Sequence, residues 1–265
     1  MKNVIGLAAI VTMLALAPPA TARTEVISLH VGDKLARVAL VRPGVHRYLR
    51  YTIKPDGARN AVDIWVRRVA FEPATGAGRR LHMTQRWDEV ADKVVLIQDS
   101  WFTPGTLAPL THVRHVERDG KTTIGGYQFT TGKVIGMADL PDNGRKDFTM
   151  PMPEPAFNFE YDMELLQALP MAAGRVFDIP FYDAGVDKEP DRYRFAVAGS
   201  DKIRDWSGRA VDCWLVTADY RTGKIVSRFW FAKQSQLLVR EEAVQPDGTT
   251  LIKTLLPPES SDQGA

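Results

Sequence analysis

"SRFWFAKQSQLLVREEA", residues 227–243, decides the fold. In an extended chain successive side chains point to opposite faces. Phe229 and Phe231 therefore share one side, and Trp230 takes the other. Gln234-Ser235 is a short polar connection of hairpin type between two strand-like runs. The upstream run "VDCWLV" repeats the pattern, with Cys213 and Leu215 on one face and Trp214 and Val216 on the other. A sheet with one face in water alternates more cleanly than this. Both faces of the hairpin are thus expected to be covered in part, as in a curved sheet that holds something in its hollow.

The same kind of segment recurs on both sides of this hairpin. Strands are expected at 34–42, 46–53, 61–72, 79–89, 93–102, 110–120 and 121–139, and again at 174–183, 191–203, 209–219, 224–233, 236–244 and 249–256. Turn chemistry separates them: Pro55-Asp56-Gly57, Gly76-Ala77-Gly78, Asp119-Gly120, Asp142-Asn143-Gly144, Arg221-Thr222-Gly223 and Pro246-Asp247-Gly248. Gly125-Gly126 inside a strand predicts a bulge or sharp bend. One segment differs. "NFEYDMELLQALP" (158–170) places Phe159, Met163 and Leu166 at helical spacing, with Asn158 as N-cap and Pro170 as stop. Glu160 and Glu164, four apart, are expected on its water-facing side. The predicted fold is mainly β: a strongly curved antiparallel sheet, a half-open barrel, with one or a few helices covering the concave face.

The chain's first residues contain Lys2, an apolar run from Val4 to Ala17, Pro18-Pro19 and an Ala20-Thr21-Ala22 step. That run is shorter than the roughly 20 residues a membrane-spanning helix needs, and it reads as a signal peptide over 1–22. Residues 23–257 then form a single domain with a polar, disordered tail at 258–265, and the mature protein is expected in the periplasm without a transmembrane anchor. Lys plus Arg is 34 against 32 Asp plus Glu, a net charge of +2 that falls to +1 when Lys2 is removed. Such a balance lacks the basic footprint of a nucleic-acid-binding protein. Cys213 is the single cysteine, so no disulfide forms within the chain, and its apolar setting reads as a small buried side chain.

No nucleophile elbow, phosphate-binding glycine loop, zinc-protease helix motif or dinucleotide fingerprint occurs. No cofactor, metal site or enzymatic activity is therefore expected. His112 and His115 lie three apart on a strand and point to opposite faces, which does not suit one metal. Asp183, Asp187, Glu189 and Asp191 lack the spacing and glycine of a calcium loop. Glu241 and Glu242 are strand neighbours on opposite faces.

The segments "FNFEYDMELLQALPMAAG" and "GRAVDCWLVTADYRTGKIVSRFWFAKQSQLLVREEAV" resemble exported bacterial proteins of the lipoprotein-localisation (LolA/LolB-like) superfamily, closest to an uncharacterised branch. A helix ending in a Leu-Pro step is matched by Phe157, Tyr161, Leu169 and Pro170. An aromatic strand, a short polar turn and an L-x-R strand are matched by Trp214, Trp230, Phe231, Leu238 and Arg240. The resemblance implies a half-open barrel plugged by helices, whose hollow shelters lipid chains in carrier members.

Two functions follow as expectations. In the first, a hydrophobic ligand or the acyl chains of a lipoprotein occupy the cupped sheet against Tyr161, Leu165, Trp214, Phe229, Trp230 and Phe231. In the second, the interior is filled by the protein's own side chains. The chain is then an interaction or structural module of the cell envelope, meeting a protein partner at an edge strand such as "TTLIKTLL" (249–256). An enzyme acting by confinement is the remaining reading.

Overall fold

The computed structural model describes residues 24–73, 78–89, 93–220 and 226–258. The expected signal peptide, the turns at Gly76-Ala77 and Arg221-Thr222-Gly223, and the tail beyond 258 lie outside the described residues.

Alternating apolar segments become strands in chain order: β1 (Glu25–Ser28), β2 (Gly44–Ile53), β3 (Arg59–Pro73), β4 (Arg79–Glu89), β5 (Val94–Phe102), β6 (Pro109–Arg118), β7 (Lys121–Thr130), β8 (Lys133–Gly136) and β9 (Thr149–Pro151). The two-residue β10 (Phe157–Asn158) precedes α1 (Asp162–Gln167). Then come β11 (Arg175–Tyr182), β12 (Asp191–Arg204), β13 (Ala210–Ala218), β14 (Ser227–Ala232), β15 (Leu238–Val244) and β16 (Thr250–Leu255). All sixteen belong to one curved sheet that does not close. Its order runs β1, β11 to β16, then β2 to β9, with β10 beside β11. Two meanders are thus stitched together where β16 pairs with β2, Thr250 opposite Ile53. The strand expected to offer a free edge, "TTLIKTLL", lies in the middle of the sheet, and the path ends at β1 and β9 instead. Pairing is antiparallel except where β1 and β10 run parallel to β11.

Three local expectations are corrected. Residues 34–42 form no strand. Leu35, Val38 and Val41 recur every third residue around a 3-10 turn, Val38–Leu40, and the segment packs all three against the main core cluster. Its backbone is held there by Leu35 N–H to Gly105 O at 3.1 Å and Arg37 N–H to Ala168 O at 2.9 Å. The helical segment is shorter than predicted, one 3-10 turn (Phe159–Tyr161) followed by the six-residue α1, although Asn158 does cap it by accepting from the Glu160 N–H at 3.1 Å. Gly125-Gly126 makes no bulge in the β6–β7 ladder, whose register runs unbroken through both. Gly126 instead permits a close approach. Asn143 bonds both its N–H and its C=O at 3.0 Å, and a Cβ on Gly126 would lie 2.2 Å from Leu140.

The concave face is packed. Strands contribute Tyr48, Trp65, Val69, Met83, Phe102, Phe177, Ile179, Phe195, Val216, Phe229 and Phe231, and α1 and its flanks insert Tyr161, Met163, Leu165, Leu166 and Leu169, all in one cluster. The unclosed seam between β9 and β11 is sealed by a second cluster of Tyr127, Val134, Met152, Ala156, Tyr182 and Ala184. Chain 152–156 crosses that seam to β10.

The plugged hollow and its uncovered mouth

Side chains on the concave face of β3 to β7 line up in cross-strand rows, because each ladder is antiparallel and in register. The deepest of three rows is Val69, Met83, Ser100, His112 and Tyr127. The next is Arg67, Gln85, Gln98, Arg114 and Gly125. Above it stand Trp65, Trp87, Leu96, Val116 and Thr123.

The middle row carries charge into the hollow. Arg67 is fully buried. Its guanidinium donates to the carboxylate of Glu164 on α1, to Gln85 Oε1 at 2.8 Å and to the Glu160 carbonyl at 3.1 Å, and it lies 4.3 Å from the centre of the Trp65 ring. Burial works against its charge, but Glu164 more than offsets this and raises its pKa. Gln85 completes the clamp by donating to Glu160 O at 2.8 Å. Arg114 donates to Glu160 at 2.5 Å and to Asp183 at 2.9 Å. Glu160 and Glu164, expected to face water, are thus the groups that fasten the helical plug to the sheet. The sequence pattern hid this because their partners are distant strand residues.

A second charged group meets the start of α1. Lys253 on β16 bonds Glu241 on β15 at 2.5 Å and stands 4.3 Å over the Trp65 ring. Burial pushes the Asp162 carboxyl up to about 7, against the pull of Lys253 and Arg67. The unfolded value is 3.8, so between about pH 4 and pH 7 the folded state keeps a proton that the unfolded chain has lost. Stability from this group is full below pH 4 and falls as pH rises through 7. Part of Asp162 remains in water, which reduces the effect to about 1–2 kcal/mol. Asp162→Asn is expected to raise the urea midpoint at pH 8 and to flatten the pH dependence between 4 and 7. An unchanged profile would show that Asp162 is ionised normally in the fold.

The six residues expected to line a ligand space fall into three settings. Tyr161, Leu165, Phe229 and Phe231 are fully buried in the packed core, and the Tyr161 hydroxyl donates to Leu107 O at 2.6 Å. Trp214 sits at the core's margin, on the same face as Phe231, with the Lys233 ammonium 4.6 Å from its ring centre. Trp230 is on the convex face, in a small cluster with Cys213 and Val239, and its indole N–H donates to Asp201 at 2.7 Å. Aromatic side chains therefore point both ways because each face has its own apolar cluster. Burial pushes the Cys213 thiol up to about 11, which suits a packing role.

The concave face is uncovered beyond the plug, at the hairpin ends of β4 to β7. A cleft of about 360 Å³ opens there between Trp87, Leu96, Val116 and Arg118 on the sheet and Glu160 and Asp183 opposite. A second, of about 460 Å³, continues it along Val116, Arg118, Lys121 and Thr123. Of these residues the sequence drew attention only to Glu160 and Asp183, and to both as solvated carboxylates. The available signal was weak, a face of β5 and β6 on which Gln98, Ser100, His112 and Arg114 replace the apolar residues usual for a core.

Comparisons with known proteins agree with the architecture. A family model described as a protein of unknown function (DUF3108) matches residues 45–255. A solved β-barrel-like protein of a domain of unknown function, DUF1849, from Brucella abortus aligns over 84% of this chain and 100% of its own, with a TM-score of 0.50 and 14% identity. A candidate lipoprotein from Parabacteroides distasonis aligns over 81% and 94%, with a TM-score of 0.29 and 13% identity. No curated protein matches the sequence. The Brucella abortus protein shares the curved, barrel-like sheet, and none of these matches names the lipoprotein-localisation superfamily. Among the described residues no helix is long and apolar enough to cross a membrane.

Proposed function

The chain belongs to the DUF3108 family of unknown function, and from that premise we propose that it is a non-enzymatic exported protein of the cell envelope that holds a partner at the uncovered mouth of its filled barrel. The observation that carries this reading is the buried Arg67–Glu164 pair. It fastens the helix across the hollow where a guest chain would lie. An acyl chain touching Tyr161, Leu165, Phe229 and Phe231 has to expel α1 and strand a buried guanidinium, at a cost of several kcal/mol. The mouth demands no such rearrangement. Its apolar floor, Leu96 and Val116, is ringed by Arg114, Arg118, Glu89 and Asp183, the mixture of apolar centre and polar rim found in non-obligate interfaces.

The reading is tested in cells with a photo-activatable side chain placed at Leu96, at Val116 or, as a control, at exposed Trp206 on the β12–β13 turn. A discrete adduct from the two mouth positions, on mature protein in the periplasmic fraction, is the expected result. Adducts from Trp206 alone would place the partner elsewhere. Acyl chains retained in native mass spectra of gently purified protein would favour the hydrophobic-ligand reading.

A further inference from the structure

Away from the mouth, a cleft of about 670 Å³ lies where the segment carrying Leu40 and Arg42 meets the start of β13 and the β14–β15 turn. Its two walls are tied together from beneath. The buried Gln167 side chain, at the end of α1, donates to Leu40 O at 2.9 Å and to Ser235 O at 3.1 Å, one carbonyl from each wall. The fully buried Gln236 donates in turn to Gln167 O at 2.9 Å and to Leu169 O at 2.7 Å. Lys233 N–H to Asp212 O at 2.9 Å joins the turn to β13. A ligand in this cleft meets groups already held in place, which lowers the ordering cost of binding.

Three cations line the cleft, Arg42, Arg209 and Lys233, against one carboxylate, Asp212. Arg209 pairs with Asp205 at 3.2 Å, and Asp212 has Lys202 at 3.6 Å. Lys233 donates to Ser200 Oγ at 2.6 Å and stands over the Trp214 ring, with no carboxylate beside it. Arg42 has no hydrogen-bond or ion-pair partner among the described residues. Two positive charges, one from each wall, are therefore uncompensated. Leu40, Val211 and Ala232 add apolar surface. The Ser235 hydroxyl accepts from the Leu237 N–H at 3.2 Å, which leaves its own proton to donate.

We propose that this cleft binds a phosphate monoester between Arg42 and Lys233. The site is separate from the mouth and stands whether or not a partner docks there. A phosphate monoester carries about two negative charges near neutral pH and three strong acceptor oxygens. The charge matches Arg42 and Lys233, and the Ser235 hydroxyl supplies a third donor. The guanidinium fork of Arg42 suits a pair of phosphate oxygens, and the Lys233 ammonium serves as a point charge. A monocarboxylate would leave one of the two cations unneutralised. A nucleic-acid strand fits less well, because the whole chain carries only +2 and lacks the basic footprint that such a polyanion needs. The volume falls within the roughly 300–1,000 Å³ of small-molecule sites, with room for the organic part of the ester beside Leu40 and Val211. A soluble ester and a lipid that ends in the same group present the same chemistry to this cleft.

The test titrates the full mature chain with glycerol 3-phosphate by calorimetry at low salt. In parallel, the protein is sedimented with phosphatidylcholine vesicles made with and without phosphatidic acid. Saturable binding of glycerol 3-phosphate supports the proposal with a soluble ester as source. Binding confined to the vesicles that contain phosphatidic acid supports it with a lipid as source. In either arm Arg42→Gln and Lys233→Gln should each weaken binding by about tenfold or more, since each removes a charge-assisted hydrogen bond to the phosphate. Asp212→Asn should tighten it by about threefold or more, because the carboxylate in the lining no longer repels the ligand. A misfolded variant does not produce such a gain. Arg59→Gln removes the same charge from an exposed position on β3 and should leave binding unchanged. Absence of binding in both arms overturns the proposal. So does a loss in Arg59→Gln as large as in Arg42→Gln, which would show attraction by net charge alone.

Discussion

Arg67→Met is expected to lower folding stability by about 3–5 kcal/mol in urea unfolding, the largest effect of any single polar substitution in this fold. The substitution keeps the unbranched stem of the side chain and stops two atoms short of the terminal guanidinium nitrogens. What is lost is the partner of Glu164, whose carboxylate is nearly buried and has the guanidinium as its counter-charge. Two further acceptors, Gln85 Oε1 and the Glu160 carbonyl, lose the Arg67 donors as well. The double variant Arg67→Met, Glu164→Leu should recover most of the loss, because removing both charges also removes the desolvation penalty of each. A strong coupling energy in the double-mutant cycle is therefore the expected result. A loss below about 1 kcal/mol, the range of exposed ion pairs, would mean that α1 is held by packing alone.

Much of this architecture was legible in the sequence, and the reasons are local. The period-two alternation in 227–243 fixes the faces of Phe229, Trp230 and Phe231, and the cross-strand register puts Trp214 opposite Phe231. Turn residues mark the hairpins for the same reason, since dihedral preferences act over two or three residues. Long-range pairing is a different matter. Nothing in "TTLIKTLL" tells that Thr250 will meet Ile53 some two hundred residues earlier, so an interior strand reads as an edge. The segment 34–42 is apolar enough for a strand, but Leu35, Val38 and Val41 follow a period of three and pack against the core as a turn.

The candidate site was the least legible part, again for a physical reason. Glu160 and Glu164 at helical spacing look solvated, because a carboxylate carries no mark of the arginine that will face it. Arg67 and Arg114 look like surface residues of strands for the same reason. Apolar content pointed to the core residues Tyr161, Leu165, Phe229 and Phe231, which the fold buries, and away from the polar rows around Gln98 and His112. Sequence hydrophobicity locates what a protein encloses. The mouth is defined by what the plug fails to cover, a property of two distant segments at once.

The central claim is that the hollow is a solid core, and truncation of Phe231 and Leu165 tests it most directly. Both side chains are fully buried, Phe231 beside Phe229 with ring centres 6.4 Å apart and Leu165 on the inserted helix. In a packed interior, removing such groups forfeits their burial and leaves a cavity that neighbours fill only in part. Urea unfolding of Phe231→Ala and Leu165→Ala is predicted to show losses of about 3–5 and 2–5 kcal/mol, unaltered by added lysophospholipid. Losses near 1 kcal/mol, with stability that climbs saturably as the lysophospholipid is titrated, would show that these side chains line a lipid-filled space and would contradict the account.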